Sequence, residues 1–97
     1  MKVWDKLLSG LGINTSPKTR VLYAVTGGAY LGEFFLYMET VEDAYCFLSL
    51  PHMHIRIIPI HKFVYAVDNK ILDSVDKIPK GVYRVCCAQY RKNKDMH

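Results

Sequence analysis

Three groups of residues in this 97-residue chain have types and spacings that could do chemistry. His52 and His54 lie two apart, so on a strand their side chains point the same way and could share a metal. No third ligand can be placed beside them: Cys46 belongs to the inward set and His61 lies past Pro59, so neither a metal nor a cofactor is expected. Cys46, Cys86 and Cys87 are odd in number and two are adjacent, which rules out a paired disulfide framework and points to a reducing, cytoplasmic compartment. With no Cys-x-x-Cys and no neighbouring histidine to activate a thiolate, the cysteines read as small buried side chains. The third group is aromatic. Phe35, Tyr37, Tyr45 and Phe47, with Arg56 crossing near Phe47, fall on one parity of the stretch from Arg20 to Ile58.

Signatures of catalysis are missing. Thr26-Gly27-Gly28 joins strand to strand and lacks the helix N-terminus of a phosphate cradle; there is no Gly-x-Ser-x-Gly and no His-Glu-x-x-His. Glu33 and Glu39 are expected on one face but about 20 Å apart along a strand, too far for a paired acid and base. A non-catalytic module is therefore expected.

The elements that must position these residues follow from alternation. Val21, Tyr23, Val25, Phe34, Leu36, Met38, Cys46, Leu48, Leu50, Met53, Ile55 and Ile57 make one apolar face. Gly27-Gly28 predicts a two-residue hairpin with Tyr23 opposite Gly32 and Val21 opposite Phe34. Val41-Glu42-Asp43 predicts a three-residue loop with Leu36 opposite Leu48, Tyr37 opposite Phe47 and Glu39 opposite Tyr45. Strands are also predicted over His52 to Ile58, Lys62 to Val67 and Val82 to Tyr90, with Ile71-Leu72 as a short return strand and one helical turn from Asp73 to about Ile78. At the N-terminus, Trp4, Leu7, Leu8 and Leu11 predict an amphipathic helix over about 2–11.

The sum is one globular domain, residues 1–92, with a frayed polar tail over 93–97. Its fold class is mostly β: a small antiparallel curled sheet or barrel of five to six strands with a short N-terminal helix. The order of elements resembles that of SH3-like and Sm-like barrels; no motif carries the resemblance further. An antiparallel meander with the helix across one face is the alternative.

The aromatic face is either a second core layer or an exposed platform for a partner. A protein partner is favoured over bases, because Glu33 and Glu39 would repel a phosphate backbone. The formal charge of +4 is distributed unevenly. Lys2, Lys6, Lys18 and Arg20 against Asp5 give a net +3 over 1–20. Lys80, Arg84, Arg91, Lys92 and Lys94 against Asp95 give a net +4 over 80–97. Residues 21–50 carry Glu33, Glu39, Glu42 and Asp43 with no basic side chain. That layout suits self-association of one copy's ends with another's middle. Single-stranded RNA or DNA held by Lys80, Arg84, Arg91 and Lys92 is the alternative function. No run of apolar residues is long enough for a membrane span.

Overall fold

The computed structural model describes residues 16–96, and the N-terminal helix expected over 2–11 lies outside them. The described chain is mostly β: β1 (Val21–Val25), β2 (Phe34–Val41), β3 (Ala44–Leu50), β4 (His54–Pro59), α1 (Ile60–Asp68), β5 (Leu72–Lys77) and α2 (Lys80–Asp95). The strands form one antiparallel sheet in the order β4-β3-β2-β1-β5. β4 and β5 are separate edges, so the sheet is open and the expected barrel does not close.

Two segments expected as strands are helices. In α1, Ile60, Phe63 and Val67 recur at i, i+3 and i+7 and pack on one side of the sheet. In α2, Tyr83, Cys86 and Tyr90 repeat that spacing on the other side. Phe63, Tyr65 and Val67 also alternate, so a six-residue window satisfied both periods. Each helix follows a proline, Pro59 or Pro79, whose missing N–H costs nothing at a helix start. The tail expected to fray continues α2 to Asp95, held where Asn93 Nδ2 donates to the Met53 carbonyl at 2.6 Å. The segment from Asp73 is not a helical turn but most of the edge strand β5.

A second helix changes what the sheet faces mean. Tyr23, Val25, Phe35, Tyr45, Phe47, Phe63 and Leu72 form one core beneath α1. Leu36, Cys46, Leu48, Cys86 and Tyr90 form another beneath α2. With a helix on each face, the central strands carry apolar residues at both parities.

The β1–β2 register differs from the expected hairpin by three residues. Tyr23 pairs with Phe35 and Leu22 with Leu36, so an eight-residue connection, 26–33, replaces the two-residue turn. An odd shift exchanges faces, and it delivers Tyr23 and Val25 to the aromatic core. The connection folds as successive turns, Leu31 N–H to Gly28 O at 3.3 Å and Glu33 N–H to Tyr30 O at 3.1 Å. Gly28 and Gly32 supply its positive φ angles of 82° and 91°.

Between β2 and β3 the expected pairs Leu36–Leu48 and Tyr37–Phe47 hold. Beyond Tyr37 the ladder is bulged at Met38, so Glu39 pairs with Cys46 instead of Tyr45, and Val41 pairs with Ala44 across a two-residue Glu42-Asp43 turn. The bulge also separates Glu33 from Glu39, which were expected on one face. Glu33 meets Ser49 and Arg56 on the α1 side, while Glu39 meets Tyr90 and Lys94 of α2.

Candidate binding groove

Of the two readings of the aromatic face, a second core layer or an exposed platform, the structure shows the core layer, with Phe35, Tyr45 and Phe47 buried and Tyr37 half-buried against them. Phe47 is fully buried and Phe35 is 2% exposed. Phe47 stacks on Phe35 and on Phe63, with ring centroids 5.3 and 5.7 Å apart, and meets Tyr45 and Tyr37 edge-on. Tyr45 is buried against Phe63, and half-buried Tyr37 shares a 2.6 Å hydrogen bond with the Thr40 hydroxyl. α1 supplies Phe63 and covers these rings, so they are not a surface in this fold.

Arg56 is likewise engaged within the chain. Its Nε and Nη2 donate to the two oxygens of Glu33, each at 3.0 Å, and its guanidinium lies 4.3 Å from the Tyr30 ring centre. Ser49 Oγ donates to the same carboxylate. The hydrogen bonds from Arg56, with a smaller one from Ser49, hold Glu33 below the usual carboxylate range against the opposing effect of burial. This cluster ties the 26–33 connection to β3 and β4.

The open surface lies elsewhere. α2 starts beside β1, where Ile78 N–H donates to Arg20 O at 2.9 Å, and ends over the β3–β4 turn at Met53. That diagonal path leaves one corner of the sheet uncovered, at the β2–β3 turn and the end of β4. A groove of about 590 Å³ occupies the corner. Val41, Ala44, Cys46, Ile55 and Ile57 form its apolar floor, with Ile57 64% and Val41 45% exposed.

Acidic residues rim it. Glu39, turned to this side by the bulge, accepts from Tyr90 Oη and Lys94 Nζ, both at 2.7 Å. Those partners, Lys94 first, lower its carboxyl below the ordinary value. Glu42 and Asp43 complete the rim at the turn, and among the described residues neither has an ion pair.

The remaining groups offer packing and hydrogen bonding. Burial pushes the Cys86 thiol up; burial and the neighbouring Cys87 push the Tyr83 phenol up to about 12. Burial, then the bond to Glu39, raises Tyr90 as well. All three cysteines are free thiols. The His52 and His54 rings sit 5.8 Å apart, and among the described residues no group of three metal-ligating side chains forms. No helix among the described residues is long and apolar enough to cross a membrane.

Of the basic residues, Lys80, Arg84 and Arg91 fall along one side of α2 at i, i+4 and i+11, while Lys92 is turned about 100° away. No protein-family model, curated protein or solved structure matches this chain.

The alternation marked Ile57 as apolar but placed it inward with Met53 and Ile55. Its exposure depends on where α2 ends, which no local pattern encodes. The Glu42-Asp43 pair was the one visible signal of the rim.

Proposed function

We propose that this protein is a non-catalytic binding or adaptor module whose groove receives a short segment of a partner protein bearing apolar side chains and basic residues. One observation carries this: Ile57 and Val41 stand exposed on an apolar floor beside Glu42 and Asp43, which have no ion pair among the described residues. Exposed apolar surface rimmed by charge is the usual form of a protein-binding site. The three free thiols suit a reducing, cytoplasmic setting.

One feature favours single-stranded nucleic acid instead. Lys80, Arg84 and Arg91 line one exposed side of α2, where they could meet a phosphate backbone.

Amide chemical shifts of the isotope-labelled protein distinguish the two. A leucine–lysine peptide is expected to move Val41 to Ala44 and Ile55 to Ile57, a leucine–glutamate peptide to leave them in place, and Ile57→Asp to abolish the effect. Equal response to both peptides, or to neither, defeats the groove. Shifts confined to α2 on adding a single-stranded oligonucleotide at low salt would establish the nucleic-acid alternative, and their absence would remove it.

A further inference from the structure

The two edges of the sheet are built differently. β5 is bulged at Val75 against β1 and carries Asp73, Asp76 and Lys77 among its six residues. Bulges and charges are how proteins keep an edge from pairing with another chain. β4 runs in unbroken register against β3, and its arginine is neutralised by Glu33.

The backbone phase of β4 can be assigned. Ile60 N–H donates to Asp43 O at 2.9 Å, continuing the register of Tyr45–Ile58 and Phe47–Arg56. Hydrogen-bonded and non-hydrogen-bonded pairs alternate along an antiparallel ladder. Ile58, Arg56 and His54 therefore turn their N–H and C=O groups to β3, while Ile57 and Ile55 turn theirs outward. Pro59, with no N–H to offer, falls in the outward phase, where an edge tolerates proline.

We infer that β4 pairs antiparallel with β4 of a second copy, Ile55 opposite the partner's Ile57, so that two five-stranded sheets become one of ten strands. The register is self-complementary. Each outward N–H of Ile55 and Ile57 meets an outward C=O, and the two-fold axis passes between Arg56 and its counterpart. Like charges directly opposite would disfavour such a pair. Here each guanidinium already has a bidentate carboxylate partner, so what meets across the axis is two neutral Arg56–Glu33 pairs. On the α2 side, the side chains of Ile55 and Ile57 lie across from their counterparts, covering the most exposed part of the groove floor. The pairing uses the backbone edge and needs no groove ligand, but it shares Ile57 with the proposed groove, so a dimer and a groove peptide compete. Sedimentation without peptide tests the pairing alone, and peptide titration at the lowest concentration, where one chain is expected, tests the groove alone.

Sedimentation of the full chain from low micromolar to near-millimolar concentration tests it. The expected mass rises from one chain to two, and the amides of Ile55 and Ile57 gain hydrogen-exchange protection over the same range. Ile57→Pro deletes an N–H that β3 does not use, together with the exposed isoleucine side chain. It should hold the mass at one chain with the circular dichroism spectrum retained, and Val75→Lys on the far edge should leave the dimer intact. If Ile57→Pro does not fold, Ile57→Lys decides by the same readout. A wild-type mass of one chain throughout, growth beyond two, or a dimer surviving at position 57 would overturn the pairing.

Discussion

Replacing Phe47 by alanine measures whether the aromatic face is core. The ring is fully buried and touches four others: Phe35 at 5.3 Å, Phe63 at 5.7 Å, Tyr37 at 6.1 Å and Tyr45 at 6.5 Å. Truncating a buried phenylalanine costs about 3–5 kcal/mol from lost transfer energy and the cavity left behind. Were the face an exposed platform, the same change would stay within about 0.5 kcal/mol. The two cases differ by several kcal/mol, a large share of the roughly 5–15 kcal/mol that holds a domain folded. Urea unfolding followed by circular dichroism resolves this easily. With a slope of about 2 kcal/mol per molar, the midpoint should fall by about 2 M. Tyr65→Ala on the outer side of α1 and Ile57→Ala in the groove, both more than half exposed, are the controls and should barely move it. A Phe47→Ala midpoint as close to wild type as theirs would refute the two-layer core.

Acid should destabilise the fold through two carboxylates. Glu33, held chiefly by Arg56, and Glu39, held chiefly by Lys94, are both lowered from an ordinary value of 4.5. The unfolded chain thus takes up protons first, and the stabilisation is complete above about pH 4.5 and lost as pH falls through the folded values. The urea midpoint should be level near neutrality and decline below that point; a Glu33→Gln, Glu39→Gln double variant that declines as steeply would refute the assignment. Tyr90→Phe removes a hydroxyl that donates to Glu39 and should cost about 1 kcal/mol. Carboxyl titration by NMR should show Glu39 moving back toward the ordinary value, and an unchanged titration would refute the bond.

The middle of the sheet was legible because one pairing, Leu36 with Leu48 and Tyr37 with Phe47, matches residues on both faces at once. The bulge at Met38 was not, because nothing local distinguishes it from one more alternating position; it turns Glu39 to the side of Tyr90 and Lys94. The helices were missed where valines and tyrosines of high strand propensity sit at helical spacing, as in Tyr83, Cys86 and Tyr90. With α1 and α2 expected as strands, only the last strand or the N-terminal helix is left to cover the second face. Phe35 and Phe47 then stood as surface candidates, while the exposed residues at the sheet corner went unnoticed.

The guarded edge at β5 has a consequence for stoichiometry. A sheet with two open edges is a monomer in the polymer sense, able to add units at both ends and grow into a fibre. Closing one edge with the Val75 bulge and three charges leaves a single valence. Whatever pairs with β4, a second copy or a strand of another protein, terminates the array on contact. Moving a charge off β5 and straightening its bulge would turn a chain stopper into a repeat unit.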